Sequence, residues 1–382
     1  MRRLLGRLLA TSLLIGAAPA PAQESGPGYK PQDKDERGLW MQVDEQERQI
    51  KTSSFVIRDP ALNAYVNGVF CRTVGEAACK DARIYIVRVP YFNASMAPNG
   101  MIQVWSGLLL RVRNEAQLAA VLGHEYTHYQ NRHALKLFRD IKQNTGAASF
   151  LMVGGIGGAL VGLAILTQSF EYSRDNEREA DAGGVALIAK AGYDPAAAPM
   201  IWEQVRQEQE ATAAARNVKP RYQNGGLFAT HPNNLERMRD MRAQATAITV
   251  PNAVTNEEAY RKALSPWWPQ FFDDQIKLND FGGGEFLLGQ LASAGWTPAL
   301  LFARGELYRA RGQPEDLVKA AGFYRQAVDS EKAPPEAWRG LGLALLRQGK
   351  RDEGQSAIKT YLQKKPDATD KAMMAMLAGD PS

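Results

Sequence analysis

All four histidines of the chain fall in two places. His124 and His128 frame the sequence His-Glu-Tyr-Thr-His, His133 follows five residues later, and His231 lies in Thr-His-Pro. Positions i and i+4 share one face of a helix, so His124 and His128 can offer two imidazole nitrogens to one ion, with Glu125 beside them. The motif predicts a helix that must meet a third metal ligand from elsewhere in the chain.

The residues before this motif favour a helix. Asn114 is a typical N-cap residue, and Gln117 stands at the third helical position, which together form a capping box. Leu118, Val121 and Leu122 then form an apolar stripe that leads into the histidines. Two buried, hydrogen-bonded histidines without a metal are the alternative, and the helical context favours the zinc site.

A catalytic zinc needs a third protein ligand and an open fourth position. Residues 173–183 are polar at first and small or apolar from Ala180 onward, which predicts a helix that buries its C-terminal part. Glu177 and Asp181 are four residues apart and share a face. We assign Glu177 to the metal and expect Asp181 to accept a ring N–H from a histidine ligand, while Glu179 is interpreted as a solvated or structural carboxylate.

These stretches resemble the gluzincin family that contains the CAAX prenyl endopeptidases and the HtpX peptidases, most closely its periplasmic, BepA-like branch with a tetratricopeptide tail. The resemblance covers roughly residues 40 to 245. The matching positions are the H-E-x-x-H at 124–128 with Arg132-His133, the E-x-x-A-D at 177–181, His231-Pro232 with Arg237, and the segment 93–104. The last is similar to N-A-F-A-x-P-G-G-x-I-x-V and departs from it at Ser95, Met96 and Asn99.

The resemblance implies metalloendopeptidase chemistry, with polypeptide substrates and one Zn²⁺ per chain held by His124, His128 and Glu177. Such an ion lowers the pKa of a bound water and polarises the scissile carbonyl, while Glu125 accepts the proton and returns it to the leaving amine. The resemblance also implies that Arg237, like Asp181, lies next to the metal ligands.

The role of His231 stays open between an oxyanion donor, a fourth metal ligand that holds a latent state, and a structural His-Pro cap. His133 lies about 140° around a continuous helix from His128, at roughly 100° per residue. It is therefore not expected to bind the metal.

Two strands are predicted beside the metal helix, at 82–90 and 101–104, from their β-branched residues and partial alternation. A strand edge there would bind an extended polypeptide by backbone pairing, with Asn93, Ala94 and Met96 as substrate-binding residues. This predicts unfolded or loop segments as substrates. An ordinary small antiparallel sheet that covers the helices is the alternative, and both can hold together.

The N-terminus indicates the compartment. Residues 1–22 carry three arginines, an apolar run and the small-residue cleavage site Ala20-Pro21-Ala22, which is typical of a secretory signal and predicts a periplasmic protein. Removing those three arginines takes the formal charge from +5 to +2. Without a basic cluster interleaved with aromatic residues, nucleic-acid binding is not expected.

Cys71 and Cys79 are the two cysteines of the chain. In an oxidising compartment they are expected to form one disulfide, with free buried thiols as the alternative.

Residues 147–166 are apolar and carry Gly154, Gly158 and Gly162 in a GxxxGxxxG spacing that would suit a membrane span. A single crossing would, however, place His124 and Glu177 on opposite sides of the membrane. We therefore expect a buried glycine-rich helix or hairpin, or an apolar flap that touches a membrane or a hydrophobic partner.

The C-terminal third has a different pattern. A repeat with a spacing of 37 residues relates 305–312 to 342–349, and the Trp338 segment resembles the tetratricopeptide consensus. Such helix pairs form a concave groove for protein partners.

The predicted fold class is α+β and mainly helical. It comprises a signal peptide at 1–22, a zincin-like metalloprotease domain with a small antiparallel sheet at 23–250, and an all-α tetratricopeptide-like domain at 260–382. The resemblance and the expected compartment together imply hydrolysis of misfolded or misassembled envelope proteins. The alternative is a chaperone-like or scaffold protein that acts through the repeats, with a latent metal site.

Overall fold

A computed structural model describes residues 28–145, 172–222, 231 and 235–379. The predicted signal peptide at 1–22 and the apolar segment 147–166 lie outside these residues. The fold class is confirmed, because the described chain is mainly helical with one small sheet.

The N-terminal two thirds combine helices with all three strands. Their bounds are α1 Lys34–Thr52, α2 Pro60–Val74, α3 Glu76–Cys79, β1 Arg83–Val87, β2 Ala94–Met96, β3 Met101–Trp105, α4 Ser106–Arg111, α5 Glu115–Gln130, α6 His133–Thr145, α7 Arg174–Lys190, α8 Ala197–Ala215 and α9 Leu235–Ala247.

The C-terminal third of the described chain is helical throughout. Its helices are α10 Glu257–Leu264, α11 Trp268–Ile276, α12 Phe281–Leu291, α13 Pro298–Arg311, α14 Pro314–Val328, α15 Pro335–Arg347, α16 Arg351–Lys364 and α17 Lys371–Leu377. A large hydrophobic core runs from Ile57, which precedes α2, to Leu307 in α13, so the C-terminal helices up to α13 pack directly on the N-terminal two thirds.

The sheet is mixed, which corrects the predicted antiparallel sheet. Its strand order is β1-β3-β2, with β2 antiparallel and β1 parallel to β3. After β1 the chain returns through β2, and the β2–β3 hairpin inserts β3 between the other two strands. The third strand therefore runs in the direction of the first, and β2 is left at the edge.

Helix α5 begins as the sequence predicts. The Asn114 side chain accepts a hydrogen bond from the Gln117 backbone N–H at 2.9 Å. The Gln117 side chain accepts one from the Arg113 N–H, also at 2.9 Å, rather than from the N-cap residue itself. The capped helix then buries nearly every residue up to Tyr129.

Glycines let α7 lie directly on α5. A Cβ atom at Gly183 would lie 2.4 Å from the Thr127 Oγ1 atom, and one at Gly184 would lie 3.1 Å from the His124 backbone nitrogen. Only residues without a side chain allow this approach. The two helices therefore bring the residues of the His-Glu-Tyr-Thr-His motif next to the first turns of α7.

The predicted disulfide is present between Cys71 at the end of α2 and Cys79 at the end of α3. Within the described residues, every helix is too short or too polar to cross a membrane.

Helix α1 is fixed to the sheet through a buried carboxylate. Glu47 accepts hydrogen bonds from the Arg83 guanidinium at 2.6 and 2.7 Å, from the Tyr85 hydroxyl at 2.8 Å and from the Asn99 amide at 3.0 Å. Burial by itself would raise the pKa of Glu47, but the hydrogen bonds from Arg83 and Tyr85 and the Arg83 charge lower it to about 2.

We predict that Glu47→Gln destabilises the protein in a pH-dependent way. The ionised carboxylate contributes stability above the usual glutamate pKa of 4.5, and this contribution is lost as the pH falls through about 2. A shift of this size corresponds to about 3 kcal/mol. Urea unfolding at pH 7 should therefore show the difference, and it should vanish near pH 2. A constant difference at all pH values would contradict this role.

Candidate metal centre

Four buried side chains from three parts of the chain converge. His124 and His128 lie on α5, Glu177 lies in the first turn of α7, and His231 precedes α9. One ligand atom of each lies within 4.8 Å of all the others. The structure therefore brings the two motif histidines to Glu177 and adds His231 to the same group.

The distances within this group suit a zinc ion. The Nε2 atoms of His124 and His128 are 3.0 Å apart, and the His128 Nε2 atom lies 3.4 Å from the Glu177 Oε1 atom. The His231 Nδ1 atom lies 2.8 Å from the Glu177 Oε1 atom and 3.2 Å from the His124 Nε2 atom. Tetrahedral zinc with bonds of about 2.0–2.1 Å holds its ligand atoms about 3.3 Å apart. The residues present thus fit the metal in both chemistry and spacing.

Asp181 and Arg237 surround the ligands. The Asp181 Oδ1 atom lies 3.0 Å from the His124 Nδ1 atom, on the side of the ring that faces away from the other ligands. Arg237 donates two hydrogen bonds to Asp181, both at 2.8 Å, and its Nη1 atom lies 2.6 Å from Glu177. Asp181 therefore orients the His124 ring, and Arg237 balances two buried carboxylates.

The electrostatics favour the ligand forms of Glu177 and His128. Burial would lower the pKa of His231, but the charges of Glu177 and Glu125 raise it. Burial by itself would raise the pKa of Glu177, but His231, His128 and Arg237 hold it well below its usual range. Burial lowers the pKa of His128 well below that of a free imidazole. A carboxylate and a neutral imidazole are the states that bind metal.

His133 lies closer to the site than the sequence suggested. It stays outside the group of four, but its Nδ1 atom is 2.8 Å from the His128 Nδ1 atom, and its Nε2 atom is 3.1 Å from Glu179. Extrapolation along one helix failed because α5 ends at Gln130 and Arg132 adopts a left-handed φ of 57°. The turn brings His133 back against the ring of His128.

Tyr172 is a site residue that the sequence did not indicate. Its ring stacks on His128 with the ring centroids 4.2 Å apart. The residue stands alone between the apolar segment and α7, so no spacing pattern pointed to it.

Glu125 projects from α5 beside the metal ligands. Its Oε1 atom is buried without a hydrogen-bond partner among the described residues, and it lies 3.6 Å from the His231 Nε2 atom. The Met96 backbone N–H donates to the same carboxylate. Burial raises the pKa of Glu125, and the charges of His231 and His124 oppose this.

A cleft with a volume of about 120 Å³ opens at Glu125 and His231. The three predicted substrate-binding residues, Asn93, Ala94 and Met96, line it. Backbone bonds to β3 are made by Asn93 and Ala97, so the polar backbone groups of Ala94 and Met96 point to the open edge of β2. The cleft thus borders the outer edge of β2, which pairs with no other strand of the described chain.

Known proteins are similar in sequence to this chain. Residues 60–245 match the model of peptidase family M48. The chain is 26% identical to the beta-barrel assembly-enhancing protease of Escherichia coli O157:H7 over 230 residues, which are 56% of this chain and 45% of that protein. It is 29% identical to the mitochondrial metalloendopeptidase OMA1 of Schizosaccharomyces pombe over 182 residues, 46% of this chain and 50% of that protein. With the OMA1 enzyme of Arabidopsis thaliana it shares 35% over 168 residues, 43% of this chain and 32% of that protein.

The helix pair with its convergent histidines and glutamate defines a zinc metalloendopeptidase domain of the gluzincin class. Over residues 60–245, just under half of its length, the chain is similar to peptidase family M48. The chain spans about half or less of the length of the relatives it matches.

We predict that Asp181→Asn weakens zinc binding by about 10- to 100-fold, because the His124 ring loses its charged partner. Competition with a chromogenic chelator measures the affinity. Asp175→Asn is the matched control, since Asp175 lies on the same helix with its side chain 87% exposed. Equal affinities for the two variants would contradict the role of Asp181.

Proposed function

We propose that this chain is an exported zinc metalloendopeptidase of the periplasm that hydrolyses misfolded or misassembled envelope proteins. One observation carries the hydrolytic part: the Oε1 atom of Glu125 is buried without a hydrogen-bond partner in the described structure, beside a metal-binding group and at the end of a cleft. An acceptor in that position is suited to take a proton from water.

In the proposed reaction His124, His128 and Glu177 hold the ion. Zinc bound by such ligands acts as a Lewis acid on water and on the peptide carbonyl. Glu125 accepts the proton of the attacking water at its Oε1 atom and returns it to the leaving amine. Because the pKa of Glu125 is raised, it lies closer to the pH at which the protonated side chain must release that proton again.

His231 is proposed as a fourth ligand that holds the enzyme latent. This proposal is supported by its Nδ1 atom, which lies 2.8 Å from the Glu177 Oε1 atom and 3.2 Å from the His124 Nε2 atom, so an ion held by those residues would have the His231 ring within reach of its open position. Cleavage would then require His231 to leave the ion. Its Nε2 atom, which lies 3.6 Å from the Glu125 Oε1 atom before any such movement, would be a donor for the reacting carbonyl.

The compartment and the substrates are inferred from several features. Residues 1–22 have the pattern of a secretory signal, and the Cys71–Cys79 disulfide suits an oxidising compartment. One relative is named for enhancing beta-barrel assembly. Polypeptides would pair with the open edge of β2, and the helices at 260–382 would bind protein partners as tetratricopeptide-like repeats.

We predict that Glu125→Gln keeps the zinc content and lowers hydrolysis of unfolded casein by at least about 100-fold, because the general base is lost. Zinc analysis and gel-based cleavage measure the two quantities. Equal turnover by both proteins would rule out this mechanism. Absence of cleavage by both, also after His231→Ala, would leave the chaperone-like alternative, in which the metal site is latent and the repeats act alone.

We also predict that His231→Ala raises casein cleavage, because removal of the fourth ligand opens the metal position. An initial-rate assay at saturating zinc measures it. A fall in kcat would instead assign His231 as an oxyanion donor. An unchanged rate together with a lowered Tm would leave it a structural cap.

A further inference from the structure

Helix α1 forms one wall of the cleft although it lies outside the matched peptidase region of 60–245. Four residues spaced at i, i+3, i+4 and i+7 share one face of this helix. All of them line the cleft: Leu39, Gln42, Val43 and Gln46.

Polar contacts on either side of this face hold α1 in place. Near its start, Glu36 lies 2.7 Å from the Arg132 guanidinium, and Asp35 lies 2.5 Å from the Lys142 ammonium group. Both of these basic residues follow α5 in the chain. Near its end, Glu47 and Asp44 bind the sheet, the latter through the Asn99 amide at 2.8 Å. The cleft-lining face between these anchors is therefore held in a fixed position.

The facing wall is apolar. It comes from α6 through Leu137, Phe138 and Ile141, while Met96 and Met101 contribute from the hairpin. An engineered apolar cavity of about 150 Å³ binds benzene, so the 120 Å³ here is of the size that holds a leucine, methionine or phenylalanine side chain.

Charge is concentrated at one end of the cleft. Among the described lining residues, the ionisable acids and bases that could carry charge at neutral pH are Glu125 and His231, which both belong to the metal centre. A charged substrate side chain in the remaining part would lose hydration without gaining an ionic partner. A peptide paired with the edge of β2 at Met96 would bring its side chains beside this apolar part.

We propose that α1 selects the substrate: Leu39 and Val43, with the facing residues of α6, bind a large apolar side chain next to the scissile bond. This rests on the proposed peptidase function, which it deepens by naming the class of residue accepted at the cleavage site. The M48 domain supplies the chemistry, and a helix outside it sets the preference.

The test uses the full-length mature protein with two single substitutions on one helix. Leu39→Lys places a cation in the cleft, and Met41→Lys is the matched control because Met41 is 72% exposed. Two fluorogenic peptides that differ only in leucine or glutamate beside the cleaved bond are compared by kcat/KM, with mass spectrometry to locate the cleavage. Circular dichroism and Tm confirm that both variants fold, and Leu39→Met serves as the conservative variant.

Wild type, Met41→Lys and Leu39→Met should prefer the leucine peptide by about 10-fold or more, and Leu39→Lys should lose or reverse that preference. Binding of the labelled leucine peptide is measured by fluorescence anisotropy in the Glu125→Gln background, with and without Leu39→Lys. The lysine should weaken this binding by about 10-fold.

The results distinguish a failure of the proposed peptidase function from a failure of the inference about α1. If no protein cleaves the peptides, even when His231→Ala removes the fourth ligand, but Leu39→Lys still weakens binding, the hydrolytic function is wrong and the inference about α1 stands. If cleavage occurs with the same preference in Leu39→Lys and wild type, the inference about α1 is overturned and the peptidase stands. Absence of measurable binding of the leucine peptide also overturns it.

Discussion

The close approach of α5 and α7 is the contact on which the rest of the site depends. Gly183 and Gly184 leave no side chain between the helices, so the backbone of α7 lies against Thr127 and His124. At this separation Glu177 comes within 3.4 Å of His128. A methyl group at either glycine would push the helices apart, and a misplacement of even 1 Å at a catalytic centre is costly.

The close approach of α5 and α7 also buries two carboxylates at the site, and a basic residue offsets their charge. Glu177 and Asp181 are buried four residues apart on α7, and Arg237 from α9 contacts both. A buried carboxylate without a partner would take up a proton instead of binding a cation. Against the effect of burial, His231, His128 and Arg237 hold the pKa of Glu177 well below its usual range, and Arg237 lowers the pKa of Asp181. Both acids are therefore carboxylates, and Asp181 can orient the His124 ring.

The edge strand and α1 are the elements proposed to bind a peptide at this centre. Among the described strands β2 pairs only with β3, and the Met96 N–H reaches Glu125 from the outer edge of β2. Backbone pairing of this kind gives affinity with little sequence preference. The apolar cleft between α1 and α6 is the part of the structure that can distinguish one substrate residue from another.

The sequence alone determined what depends on local periodicity. Four residues make about one helical turn, so His124, Glu125 and His128 had to lie together, and the Asn114 cap fixed where that helix begins. Tertiary packing decided the rest. The parallel pairing of β1 with β3, the entry of His231 among the ligands, the return of His133 to His128 and the place of α1 at the cleft all join residues across turns or long separations. Spacing within one element carries no information about such contacts, since they are set by how helices and strands pack.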